Sequence, residues 1–429
     1  MTRHRILILA QDCNPEWPSL PIVGYNYARA LAGVADVTIA THVRNRENIE
    51  KAGELSGRVC YIDNEWIAAP MYRLSVLLRR GEEVAWSVNQ IMAYLPNLAF
   101  ERQILDTFRK QLRAGAFDIV HRITPMSPTQ PSYMVGKTRQ PFVVGPLNGN
   151  LDWPSQFSSE KKREREGLRS LRELYRYLPY ARSTQSKADC ILAAFQHTID
   201  DLKAADPARI VPMPEIGFDP AIFHAEGRQV PFSDPGPKRF LYVGRLVPYK
   251  LPEVAVRAFV GSDLLRPHKL HVVGAGPELD RLKAMVAEAG AGDRVIFEGG
   301  KTQAEVAEFM RRSDAFVFPS IRELGAGVVI EAMACGLVCL VTDYGAPGDL
   351  AANDRGVRIP MQNLEGLVHA YRAAMEDCLA DPTRHAATAD RAWAYAHGLY
   401  DWEAKAAYTL RIYEALLSGA PLDQFTDYR

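Results

Sequence analysis

Ala315-Phe-Val-Phe318 runs into Pro319-Ser-Ile-Arg-Glu323-Leu-Gly325-Ala326-Gly327, then into Val328-Val-Ile-Glu331-Ala-Met-Ala-Cys-Gly336 and Val338-Cys-Leu-Val-Thr342. The first run is short, apolar and continuous, the pattern of a strand buried on both faces. Two glycines within three residues mark a turn, and Val328–Ala334 has the length and apolar content of a buried helix. Gly336 stops that helix, and a second buried strand follows. Strand, helix and strand within thirty residues form a right-handed parallel crossover unit, so the fold class is α/β.

The same rhythm extends outward in both directions. Upstream lie strands Arg239–Gly244, Lys269–Gly274 and Val295–Glu298, with helices expected over Pro252–Val260, Glu278–Ala289 and Gln303–Arg311. The N-terminal half repeats it with strands Arg5–Ala10, Asp36–Ala40, Asp118–His121, Pro141–Gly145 and Cys190–Ala193, and a helix opening at Gly24. Two doubly wound domains follow, as 429 residues exceed what one hydrophobic core of ordinary size holds. The boundary falls in 215–238, rich in proline and glycine and without periodicity. The division expected is 1–225, 226–400 and a C-terminal helix and tail at 401–429 that crosses back to the N-terminal domain, with Ser418 onward frayed.

Lys and Arg total 51, as do Asp and Glu, so no basic excess advertises nucleic acid. The charges divide mildly, 28 basic and 24 acidic in 1–225 against 23 and 27 in the rest. No apolar run approaches the ~20 residues of a membrane span. Arg3, His4 and Arg5 ahead of Ile6–Ala10 mimic a signal peptide, but the apolar part stops too soon and no cleavage site follows. Six scattered cysteines form no C-x-x-C pair, which argues against zinc and for a reducing, cytoplasmic setting.

Open parallel sheets bind ligands beyond the carboxyl ends of their strands. Two such ends carry chemistry. After Arg239–Val243, Gly244 allows a sharp turn, and Arg245 and Lys250 place two cations where a diphosphate would lie. After Phe318, Glu323 precedes the glycine turn and Glu331 follows it. Carboxylates accept hydrogen bonds from sugar hydroxyls, and helix-initiating amides donate to anions. Each motif alone also fits an ordinary solvated loop or a helix cap.

Together, Gly-Arg-x4-Lys and Glu-x7-Glu in this order resemble glycosyltransferase family 4, whose GT-B fold has two Rossmann-like doubly wound domains facing across a cleft. The resemblance covers Phe240–Gly348 most closely and extends to Tyr400-Asp-Trp402. It implies that Arg245 and Lys250 hold the donor diphosphate, with Glu323 facing the donor sugar. Glu331 would bind the ribose, and Gly244, Gly325, Ala326, Gly327, Val328 and Val329 would line the donor. Gly325 and Ala326 replace the family's usual aromatic and glycine. In the N-terminal domain the resemblance makes Gly24 a donor-phosphate turn and gives His121 a place beside the reacting sugar. Asn148, Gly149 and Asn150 match an acceptor-side turn. It further implies a retaining hexosyl transfer by front-face attack, without metal or cofactor, from a UDP-sugar or, next, GDP-mannose. The acceptor would be a sugar, a lipid-linked saccharide or a small metabolite.

Residues 160–182 carry eight basic and four acidic side chains over a leucine stripe. Such a helix fits either peripheral contact with the inner face of a membrane or packing on its own sheet. Tyr72–Phe100 is similarly open, as acceptor-site wall or core. Val272-Val-Gly-Ala-Gly276 fails as a dinucleotide fingerprint, because Leu279 stands where the third glycine belongs. An inactive sugar-nucleotide sensor or partner subunit of the same fold is the alternative function, and turnover separates the two.

Overall fold

The computed structural model describes residues 3–78, 86–157, 176–227 and 230–428. The chain forms two compact units. One comprises Met1–Asn150, Glu166–Glu215 and Trp402–Arg429, the other Leu151–Arg165 and Ile216–Asp401. The chain thus leaves the first unit at the start of the proline- and glycine-rich stretch, ahead of the 225/226 division expected. Most of the basic segment 160–182 lies outside the described residues. Of its described end, Arg176 pairs with Asp201 at 2.6 Å.

Among the described residues the first unit holds seven parallel strands: β1 (Arg5–Ala10), β2 (Asp36–His42), β3 (Val59–Ile62), β4 (Ile119–Thr124), β5 (Phe142–Leu147), β6 (Cys190–Ala193) and β7 (Ile210–Pro212), in the order β3-β2-β1-β4-β5-β6-β7. Ile6 to Ala10 are fully buried, as a central parallel strand covered on both faces requires. Helix Leu20–Val34 starts earlier than Gly24, and that glycine lies inside it. A Cβ there would stand 2.2 Å from the Asp12 carbonyl oxygen, so the glycine serves close approach to the loop after β1 rather than helix initiation.

Helix Trp402–Ser418 packs on helix Leu20–Val34 within the same unit. Residues 419–428 are not frayed. Leu422, Phe425 and Tyr428 are buried, and Tyr408 meets Phe425 and Tyr428 edge-on at 5.6 and 5.2 Å. Three apolar anchors at roughly helical spacing hold the tail down, where polar composition alone suggested a loose end.

The second unit has six parallel strands: β8 (Arg239–Val243), β9 (Lys269–Val273), β10 (Val295–Gly299), β11 (Ala315–Phe318), β12 (Val338–Asp343) and β13 (Val357–Pro360), in the order β10-β9-β8-β11-β12-β13. This is the doubly wound order, reversing direction between β8 and β11. The two loops that carry Arg245, Lys250 and Glu323 follow these two strands. The sheet therefore sets the candidate residues at its topological switch point.

Candidate functional site

The loop after β8 is held by glycines in the next loop. Gly244 N–H donates to Val273 O at 3.0 Å and Leu246 N–H to Ala275 O at 2.9 Å. Gly274 (φ 142°) and Gly276 (φ 157°) permit this approach. A Cβ on them would lie 1.9 Å from Gly244 O and 2.4 Å from Leu246 O. Arg245 is exposed at the tip, without an ion-pair partner among the described residues. A single turn of 3-10 helix, Pro248–Lys250, then turns Lys250 back over the sheet end.

Lys250 Nζ lies 2.8 Å from Glu323 Oε1, both side chains mostly buried, and 5.3 Å from the Phe318 ring centroid. Ser320 Oγ donates to the same Glu323 oxygen at 3.0 Å. Ile321 N–H donates to Tyr249 O at 3.0 Å, which ties the two loops together. Gly345 (φ 61°) and the Ala346 N–H press on the Glu323 carbonyl from the loop after β12. A cation and a carboxylate thus stand at the switch point with their backbone fixed from two sides.

Helix Gly327–Ala334 begins beside them. Ala326 precedes it in the left-handed region at φ 51°, a conformation that costs a residue with a Cβ about 1–2 kcal/mol. Gly327 and Val328 open the helix, where amides have no intrahelical acceptor. Val329 departs from the donor-lining expectation. Its side chain is fully buried and its N–H is spent on Ala326 O at 2.9 Å. Glu331, one turn in, is half-buried without a charged partner among the described residues, and burial pushes its carboxyl up to about 7.

His121 is corrected from a sugar-contacting residue to a core residue. It is fully buried on β4, with Nδ1 2.6 Å from Tyr413 Oη and Nε2 2.7 Å from Gly145 O. Both ring nitrogens are occupied, and burial lowers its pKa to about 4. Gly24 and the 148–150 turn also belong to the first unit, and the other site residues to the second. In that turn Asn148 Nδ2 donates to Glu215 Oε1 at 2.7 Å, Gly149 N–H to Thr198 Oγ1 at 3.1 Å, and Asn150 adopts φ 67°. Sequence reasoning passed over Glu215 and His197. Glu215 sits in Met213-Pro-Glu-Ile216, a stretch that resembles plain linker, and His197 opens no recognisable motif. Among the described residues no cluster of three His, Cys, Asp or Glu is arranged to hold a metal ion.

The sequence model of the glycosyl transferases group 1 family matches residues 224–391. A D-inositol 3-phosphate glycosyltransferase of Kineococcus radiotolerans is 31% identical over 53% of this chain and 57% of its own length. A GDP-mannose-dependent phosphatidylinositol monomannoside mannosyltransferase of Mycolicibacterium smegmatis is 32% identical over 41% of this chain and 47% of its own. The chain thus spans about half the length of these curated relatives. The structure of Anabaena HepE in complex with UDP superposes with a TM-score of 0.58 at 16% identity, over 95% of this chain and all of that one. Residues 224–391 thus match the glycosyl transferases group 1 family, and the chain of two doubly wound α/β units shares the fold of that solved structure.

Proposed function

We propose that this protein transfers a hexose from a nucleoside diphosphate sugar to a hydroxyl acceptor with retention of anomeric configuration. The observation that carries the reading is the Lys250–Glu323 pair at the β8/β11 switch point, with Arg245, which has no ion-pair partner among the described residues, on the same loop. Leaving-group departure puts negative charge on the β-phosphate. Arg245 and Lys250 supply fixed positive charge there, and one such donor is worth about 2.7–4 kcal/mol in well-studied sites. Glu323, itself held by Ser320, keeps the Lys250 ammonium in place and also faces the sugar hydroxyls. Glu331 accepts from the ribose.

In this reading the acceptor oxygen attacks the anomeric carbon from the face the diphosphate leaves. The C–O bond to the diphosphate breaks, and a diphosphate oxygen takes the acceptor proton. Two protein cations do the neutralising, so no metal is required. The donor is a UDP-sugar first and GDP-mannose second. The acceptor is a sugar, a small polyol metabolite or a lipid-linked saccharide, the last of which would bring the protein to the cytoplasmic face of a membrane. The named relatives act on inositol phosphate and phosphatidylinositol mannoside. No helix among the described residues is long and apolar enough to cross a membrane.

The test is donor turnover in wild type and Lys250→Ala, with chelator present throughout. Transfer or slow donor hydrolysis that falls about a hundredfold or more in Lys250→Ala supports the assignment. Native circular dichroism in the variant shows that the loss is chemical. Full activity in the variant, or turnover that returns only with added Mg²⁺, overturns the mechanism. Nucleotide binding without turnover would point to the sensor.

A further inference from the structure

Adjacent parallel strands β5, β6 and β7 of the first unit end side by side, and past each end stands a polar side chain outside the donor site: Asn148, His197 and Glu215. They form one chain of hydrogen bonds. Glu215 is 6% exposed; its Oε1 accepts from Asn148 Nδ2 at 2.7 Å, and its Oε2 is buried with no partner. The Lys405 ammonium is bonded to the adjoining Pro214 carbonyl. Asn148 Oδ1 lies 3.3 Å from His197 Nε2 and 3.4 Å from Thr198 Oγ1. Thr198 Oγ1 in turn fixes Gly149 through its N–H and carbonyl, both at 3.1 Å.

Burial raises the Glu215 carboxyl above its usual range, but its Oε1 accepts in either protonation state, so the Asn148 amide presents its NH₂ to Glu215 and its oxygen to His197. That oxygen also only accepts, so the imidazole proton must sit on Nε2, leaving Nδ1 as a lone pair. The ring stacks on Phe195 (centroids 6.0 Å, interplanar 18°), which fixes its plane. Burial lowers the His197 pKa to about 4 against the opposing pull of Asp200, so the ring is neutral near pH 7. Nδ1 has no partner among the described residues, and the ring is only partly buried. A neutral lone pair on a ring whose other nitrogen is already engaged suits a hydroxyl donor.

We infer that Asn148, His197 and Glu215 form a hydroxyl-recognition site for a polyhydroxylated acceptor. In it Glu215 sets the Asn148 amide, Asn148 sets the His197 tautomer, and His197 Nδ1 accepts from an acceptor hydroxyl. Glu215 and Asn148 are positioning residues; His197 is the contact. The inference rests on the glycosyltransferase reading above, because only a transferase needs a second, hydroxyl-bearing substrate.

The experiment uses the full chain, ¹⁵N-labelled, without donor. Two-bond ¹H–¹⁵N correlation spectra read the tautomer of His197, assigned by the signal lost in His197→Gln. myo-Inositol and methyl α-D-mannopyranoside are the probes. The expected result is an Nε2-protonated ring in wild type, whose Nδ1 resonance moves when either polyol is added. Glu215→Gln, whose amide can offer either an oxygen or an NH₂ to Asn148, should mix the tautomers and weaken the polyol response roughly tenfold, about 1.4 kcal/mol. Asn148→Ser tests the same link should Glu215→Gln fail to fold. An Nδ1-protonated ring in wild type, or a resonance that neither polyol moves near its solubility limit, overturns the site. UDP is added to the same samples as a separate check. If UDP raises the melting temperature while the polyols do nothing, this inference falls and the transferase reading stands. If neither UDP nor GDP, added in turn, raises it, the transferase reading falls with it.

Discussion

Glu331 is a carboxyl displaced by burial alone, to about 7. A ribose hydroxyl donates more strongly to the ionised form, so nucleotide binding should draw the proton off and weaken as pH falls through about 7. In the ligand-free protein the displacement works on folding. A carboxyl held above its unfolded value of 4.5 gives a contribution that is present below that pH and lost as pH rises through about 7. Glu331→Gln should therefore raise the denaturation midpoint of ligand-free protein near pH 8 and leave it unchanged near pH 4. The same variant should weaken UDP binding about tenfold near pH 8 and flatten its pH dependence, as measured by calorimetry. A stability gain equal at both pH values would remove the carboxyl as its source. At this scale the placement of the motif was readable: Arg245, Lys250 and Glu323 lie in the loops past the carboxyl ends of β8 and β11, with Glu331 one turn into the helix that follows. Their pairing was not readable, because nothing in a linear pattern says that Lys250 reaches Glu323. Nor did spacing reveal that His121 is enclosed, since the Tyr413 hydroxyl that occupies it lies 292 positions along the chain.

Between residue and fold, the elements that hold the site are loops gripping loops. Gly274→Ala would drive a Cβ to 1.9 Å from the Gly244 carbonyl, in a backbone region that penalises side chains. The expected cost is about 1–3 kcal/mol, together with a displaced Arg245 and weaker UDP binding. Gly290→Ala is the control: it also has positive φ, at 57°, but open space around it. Thermal melts and UDP titrations of the two variants decide the matter, and equal UDP affinities would show that the Arg245 loop does not lean on Gly274. Interior buried strands such as β8, β11 and β12 were legible as apolar runs. The short edge strands β3, β7 and β13 were not, because an edge strand of three or four residues, such as Ile210–Pro212, buries too few side chains to leave a pattern. Helix Leu20–Val34 was placed late because Gly24 looked like a start signal, when its work is to let the Asp12 backbone come close.

At the scale of the whole molecule, two doubly wound sheets followed directly from alternating strands and helices. Where the chain crosses could be narrowed only to a proline-rich stretch, because the contacts that define a unit are non-local. Tyr27 Oη meets Thr409 Oγ1 at 2.7 Å, its ring faces Trp402 at 6.4 Å, and His121 meets Tyr413. A fragment of residues 1–215 lacks these partners and leaves Tyr27 and the His121 ring without their cover. It should show weak near-ultraviolet circular dichroism and no cooperative melt, and a peptide of residues 402–429 added in trans should restore both. A sharp melt of 1–215 alone would show that the final helix is dispensable to its fold.

That closing helix also sets a timetable for synthesis. Roughly 190 residues of the second unit are made between Glu215 and Trp402. At about 5–20 residues per second, a ribosome needs on the order of 10–40 s to cover them. Throughout that interval the nascent first unit waits with an open apolar seam along helix Leu20–Val34, while the second unit, made as one nearly unbroken run, can finish first. The usual order of N-terminal domain before C-terminal domain is inverted, and the unfilled seam is where a chaperone would be needed.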